Sequence, residues 1–236
     1  MSFRAVLIDL DGTLVDSVPD LARAANAMRV EFGLPPLPEE VIATFVGKGM
    51  ENLVHRALTG SLEGRVEAGR LQEGLRAFRA AYHAINGDHA QVFDGVVEGL
   101  RAMKAQGLRL AVVTNKPGEF TRPLLERTGL LAYFDEVVSG DTLSRKKPDP
   151  APVLHACALL GVRPDEAVVV GDSMNDAAAG RAAGCRVLLV PYGYNEGRDV
   201  RGIESDGIVS SLLEAAGWIS NPLPPTRAAA VSPPAF

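Results

Sequence analysis

The chain has 236 residues, of which 47% are hydrophobic and 22% charged, with a net charge of −5 at pH 7. That length and apolar content suffice for one core, or for one domain carrying a smaller insert. The acidic balance, with no basic stripe, argues against a nucleic-acid partner, and no apolar run approaches the ~20 residues that span a bilayer.

The N-terminal stretch has an apolar run too short for a signal peptide. Cys157 and Cys185 lack ligand-like spacing and read as buried, reduced thiols. The expectation is a cytoplasmic protein.

In chain order, Arg4–Asp9 (RAVLID) is a short apolar run closed by an acidic, Gly-containing turn, the pattern of a buried strand. From Asp16 to about Gly87 the periodicity is helical and no strand is expected. Helices are predicted around Leu21–Met28, over Glu51–Leu58 and over Arg65–Ile85, with a Pro-rich break at Leu34–Pro38. Strands are then predicted at Arg109–Thr114, Glu136–Ser139, Ala167–Asp172 and Arg186–Val190. They alternate with helices at Val96–Gln106, Glu119–Thr128, Ala151–Leu160 and Asn175–Ala183, several ending at a glycine.

Such alternation predicts an α/β fold, a Rossmann-like parallel sheet with helices on both faces. The core is expected over 1–15 and 88–219, with a small all-helical cap at 16–87 inserted after the first strand. The tail, 220–236, is rich in Pro and Ala and is expected to be disordered.

Polar residues interrupt the strands at their C-terminal ends, where an open parallel sheet binds ligands. Asp9 to Thr13, Thr114-Asn115, Lys147-Pro148 and Gly171 to Asp176 bring together several carboxylates, an ammonium and a hydroxyl. Converging carboxylates repel unless a cation joins them, and all-oxygen donors point to Mg2+.

Taken together, DxDGTLxDS at Asp9–Ser17, the apolar run into Thr114-Asn115, KPDP at Lys147–Pro150 and GDSMND at Gly171–Asp176 resemble the haloacid dehalogenase superfamily. The resemblance implies Asp9 as nucleophile and metal ligand. Asp11 would be general acid and base, with its backbone carbonyl on the metal, and Asp172 the third protein ligand. Thr114 and the Asn115 amide would hold the phosphoryl group, Lys147 would neutralise its charge, and Asp176 would orient Lys147 or a metal-bound water.

Asp16 is expected to start the cap helix, with Ser17 as its N-cap. The segments VDSVPDLARAANAM, VGKGMENLVHRAL and KPDPAPVLHAC are similar to those of the superfamily's bacterial phosphoglycolate phosphatases. They imply hydrolysis of 2-phosphoglycolate, a small phosphate monoester, under a cap that opens and closes. Lys48, between Gly47 and Gly49, is a candidate for the substrate's carboxylate.

Asp11 argues against dehalogenation, and Gly171, where a mutase usually has Glu, favours hydrolysis. A pyrophosphatase, a broad sugar-phosphate phosphatase and a catalytically silent binding module are the alternatives. The sequence leaves monomer or homodimer undetermined.

Overall fold

The computed structural model describes residues 2–221; the expectation of a disordered tail lies, beyond Asn221, outside the described residues. In chain order the elements are β1 (Ala5–Ile8), β2 (Val15–Asp16), α1 (Val18–Glu31), α2 (Glu39–Ala43), α3 (Met50–Thr59) and α4 (Ala68–Ile85). There follow β3 (Gln91–Val92), α5 (Val96–Ala105), β4 (Arg109–Val113), α6 (Gly118–Arg127), β5 (Glu136–Val138) and α7 (Ala151–Leu159). The chain continues through β6 (Ala167–Gly171), α8 (Met174–Ala183), β7 (Arg186–Leu189), β8 (Gly207–Ile208) and α9 (Leu212–Ser220).

Six strands form a parallel sheet in the order β5-β4-β1-β6-β7-β8. Alternate residues bury on opposite faces, as the two-residue strand period requires. Val6, Ile8, Leu110, Val112, Val168 and Val170 face α5 and α9. Ala5, Leu7, Ala111, Val113 and Val169 face α7 and α8. Burial on both faces explains why these strands read as continuous apolar runs.

Register places the polar residues. Ile8 lies level with Val112 on one side and Val170 on the other. Asp9, Thr114 and Asp172 therefore emerge within about one residue of a common level, at the same sheet edge. The chain leaves β1 for β4 and β5 on one side, then crosses to β6 on the other. That reversal opens a crevice beside the C-terminal end of β1.

Helices α1, α3 and α4 bury a separate apolar cluster that includes Leu21, Met28, Leu53, Val54, Phe78 and Tyr82; Phe120 of α6 joins it from below. Three expectations need correction. Asp16 does not start the helix but, with Val15, forms β2, which pairs antiparallel with β3. The sheet has a sixth strand, β8, beyond those predicted. The side chain of Ser17 does not cap α1: its hydroxyl donates to Asp11 Oδ1 at 2.6 Å, and Asp16 Oδ1 accepts from the Val18 amide instead.

Two features tie the helical layer to the core. Fully buried Asp20 accepts hydrogen bonds from the amides of Gly87, His89 and Ala90, fixing the returning chain against α1. Glu196, held at φ 55° in the loop after β7, reaches Lys48 at 2.7 Å and the buried Arg56 guanidinium at 2.5 Å. Burial pushes the Glu196 pKa up, but the two cations outweigh it and hold the carboxyl below its usual range.

Removing Glu196 leaves Arg56 a buried cation whose remaining partners are the Leu62 and Phe45 carbonyls. Glu196→Ala is therefore expected to cost about 3 kcal/mol, the lower end of the range for orphaning a buried charge. Thermal unfolding should show a Tm lower by roughly 5–10 °C. An unchanged Tm would show that the contact holds nothing together.

Candidate active site

At the sheet edge, oxygens of Asp9, Asp172 and Asp176 lie within 4.8 Å of one another, all three residues buried. One ammonium is set among them. Lys147 Nζ donates to Asp9 Oδ1 at 2.8 Å, to Asp176 Oδ1 at 2.6 Å and to the Val113 carbonyl at 2.6 Å. These bonds use all three of its hydrogens. Burial alone would depress the Lys147 pKa, but Asp176 and Asp9 outweigh that and raise it.

The carboxylates respond in the opposite sense. Burial raises the Asp9 pKa to about 7, with Asp176 and Asp11 adding to it and Lys147 opposing. Asp172 is pushed well above the usual carboxylate range by burial first, then by Asp176 and Asp9. One cation does not balance three buried anions.

The hydrogen-bond pattern shows where another cation fits. Asp176 Oδ2 accepts from the Ser173 hydroxyl and amide, and its other oxygen is on Lys147. Asp172 Oδ2 accepts from the Tyr194 amide at 2.6 Å. Among the described residues, Asp9 Oδ2 and Asp172 Oδ1 are left without a hydrogen bond. Two hard oxygens on adjacent, underneutralised carboxylates suit a hard divalent ion, whereas both oxygens of Asp176 are already engaged.

Close backbone approach makes room for Asp172. A Cβ on Gly12 (φ 88°) would lie 2.3 Å from Asp172 Oδ2, and one on Gly193 would lie 2.2 Å from the same oxygen. Any side chain at either position collides with the carboxylate.

Asp11 faces the other way, toward the helical layer. Its Oδ1 accepts from Ser17 Oγ and from Lys116 Nζ at 3.0 Å, which leaves Oδ2 without a hydrogen bond among the described residues. Thr114 is buried, and its Oγ1 accepts from the Lys116 amide. The Asn115 side chain bridges the loops, donating to the carbonyls of Gly47 and Lys147 and accepting from the Lys147 amide.

A cavity lies between this edge and the helices, lined on the core side by Asp9, Asp11, Thr114, Asn115 and Lys116. Its walls are apolar: Leu21, Val46, Met50, Leu53, Phe78 and Phe120. Lys48 is not among the residues lining the cavity; its ammonium is on Glu196.

Sequence reasoning missed three residues here. Lys116 is buried in the cavity wall, with its Nζ 2.7 Å from the Tyr82 hydroxyl. Tyr194 sends its amide to Asp172 and its phenol to Asp16, while accepting from the Ser17 and Val18 amides, so it joins the carboxylate cluster to the start of α1. The one signal for Lys116 was its place directly after Thr114-Asn115.

This edge, with an aspartate after the central strand, a threonine after its neighbour, and a lysine and further aspartates beyond, is that of a phosphoryl-transfer hydrolase on a parallel α/β fold. The model of the haloacid dehalogenase-like hydrolases matches residues 6–190, and the chain belongs to that family.

Among curated relatives, it is 52% identical over 219 residues to the phosphoglycolate phosphatase of Nitrosospira multiformis, covering 93% of this chain and 96% of that one. It is 49% identical over 216 residues to that of Thiobacillus denitrificans, covering 92% and 95%. Among solved structures, one described as a predicted phosphoglycolate phosphatase from Haemophilus somnus superposes with a TM-score of 0.86 at 34% identity. That match covers 92% of this chain and 98% of the other. Among the described residues no helix is long and apolar enough to cross a membrane.

Proposed function

We propose that this chain is a Mg2+-dependent phosphatase that hydrolyses 2-phosphoglycolate to glycolate and phosphate through an aspartyl-phosphate on Asp9. The observation that carries this reading is the buried Asp9, Asp172, Asp176 and Lys147 cluster, facing an apolar cavity beside Asp11. The phosphoglycolate phosphatases at 49–52% identity along nearly their whole length support the choice of substrate.

Asp9 is the nucleophile: one carboxylate oxygen attacks while the other is left for the metal. The attack on phosphorus is in line, the bond from phosphorus to the ester oxygen breaks, and Asp11 Oδ2 supplies a proton to the departing alkoxide. Asp11 then takes a proton from water as the water attacks phosphorus, which releases phosphate and restores Asp9.

Lys147 fixes the rotamer of Asp9 and presents positive charge where the phosphoryl oxygens gather. The Thr114 hydroxyl and Asn115 amide hold the transferring group, and Asp176 holds Lys147. Mg2+, bound by the free oxygens of Asp9 and Asp172 and by the Asp11 carbonyl, would offset the repulsion between anionic substrate and anionic nucleophile.

The apolar walls bear on substrate size. They offer no row of hydrogen-bonding side chains for sugar hydroxyls, which disfavours hexose phosphates against a compact leaving group. In this reading the enzyme acts in the cytoplasm on a freely diffusing small molecule.

A panel of phosphate esters with Mg2+ tests it. We expect kcat/KM for 2-phosphoglycolate to exceed that for pyrophosphate and hexose phosphates by at least about tenfold, the scale set by one or two specific contacts. Chelation should reduce turnover to background. Comparable values for pyrophosphate or a hexose phosphate would overturn the substrate assignment, and no Mg2+-dependent release from any ester would indicate a silent module.

A further inference from the structure

Among the described residues lining the cavity, Lys116 is the one cation. Lys147 is behind Asp9 with its three hydrogens engaged, and Lys48 is on Glu196. An anionic leaving group that enters this cavity therefore meets one ammonium in its lining, with the Lys146 ammonium lying beside Gly49.

The hydrogen bonds of Lys116 show what it has to give. Nζ carries three hydrogens; one goes to Asp11 Oδ1 at 3.0 Å and one to the Tyr82 hydroxyl at 2.7 Å. The third has no acceptor among the described residues. Tyr82 is fully buried and accepts from Lys116, so its own O–H hydrogen likewise finds no acceptor among the described residues. Burial raises the Tyr82 pKa to about 12, so the hydroxyl stays a donor. Two unused donors thus sit side by side where the polar core side of the cavity meets its apolar walls, the spacing that suits the two oxygens of a carboxylate.

Their position relative to the chemistry also fits. In 2-phosphoglycolate one methylene separates the ester oxygen from the carboxylate. Asp11 presents Oδ2 to the ester oxygen, and its Oδ1 is on Lys116, so a carboxylate one carbon further on falls beside the ammonium.

We propose that Lys116, positioned by Tyr82, is the specificity-determining residue that receives the substrate's carboxylate. This rests on the phosphoglycolate reading above. It moves the role expected of Lys48 in the helical layer to a residue of the core.

The experiment compares kcat/KM for 2-phosphoglycolate with that for 2-hydroxyethyl phosphate, which has a hydroxymethyl group in place of the carboxylate. Wild type, Lys116→Met, Tyr82→Phe and Lys48→Ala are measured with Mg2+, each checked for folding by thermal unfolding. The ratio is read because loss of Lys116 also disturbs Asp11 and so lowers both rates.

The wild-type ratio should be large, and Lys116→Met should reduce it by at least about 30-fold, as expected for a lost charge-assisted hydrogen bond. Tyr82→Phe should reduce it by about fivefold, mainly through KM for 2-phosphoglycolate. Lys48→Ala should leave it unchanged.

A large wild-type ratio that survives in folded Lys116→Met, or that collapses in Lys48→Ala, overturns the assignment and leaves the phosphoglycolate reading standing. A wild-type ratio near one removes that reading and the assignment with it. If Lys116→Met does not fold, Tyr82→Phe decides alone: an unchanged ratio overturns the proposal.

Discussion

Asp9→Asn is expected to abolish turnover, by at least about 10⁴-fold, without lowering the thermal stability of the metal-free protein. The two halves of this expectation have one cause. In the proposed mechanism Asp9, which lines the cavity, is the carboxylate that attacks phosphorus, and no neighbouring group replaces it. It is also one of three buried anions sharing one ammonium, so an amide there relieves repulsion while Lys147 keeps Asp176.

The pH dependence follows from the raised pKa. Folding lifts Asp9 from an ordinary 3.8 to about 7. Between those values the folded state holds a proton that the unfolded chain has released. Stability of the metal-free protein therefore falls as pH rises from about 4 to about 7, and the penalty is complete above that. Mg2+ should restore it at pH 8 and do little at pH 5, and Asp9→Asn should flatten the slope. A variant that unfolds well below wild type at pH 8 would mean that Asp9 is mainly a structural partner of Lys147.

Lys147→Met should reduce both activity and stability. It removes the cation from between Asp9 and Asp176 and leaves two buried carboxylates and the Val113 carbonyl without their donor. Orphaning charges in this way costs about 3–5 kcal/mol, or roughly 10 °C in Tm for a chain of this size. Turnover should fall at least about 10³-fold, since charge at the transferring phosphoryl group is the main catalytic resource of such sites.

Lowering the pH should recover part of the stability, because the stranded carboxylates can then protonate, but none of the turnover. Lys147→Arg restores the charge without the compact three-way geometry and should recover stability more than rate. Wild-type stability in Lys147→Met would contradict this view of the cluster.

Much of this was legible in the sequence, for a physical reason. A strand buried on both faces has no use for polar residues, so Asp9, Thr114 and Asp172 stand out at the ends of apolar runs, and parallel register then brings them together. What escaped was short or non-local. β2, β3 and β8 are two residues each, too brief for any period to show. Ser17 has an N-cap's composition and position, but Asp11 is nearby and its hydroxyl goes there.

Lys48 reads locally as a loop lysine free to reach a substrate. The fold instead sets Glu196, from far along the chain, against it. Lys116 and Tyr82 come from α6's approach and α4 respectively, and only tertiary packing shows that they meet beside Asp11.

The central claim is that the Asp9 carboxylate itself carries the phosphoryl group, and trapping tests it most directly. The protein is mixed with 2-phosphoglycolate and Mg2+, quenched in acid during turnover and treated with borohydride, which reduces an acyl phosphate to the alcohol. Peptide mass spectrometry should then find homoserine at position 9 and at no other aspartate. Active turnover with Asp9 unmodified, or with the label on Asp11 or Asp172, would contradict it.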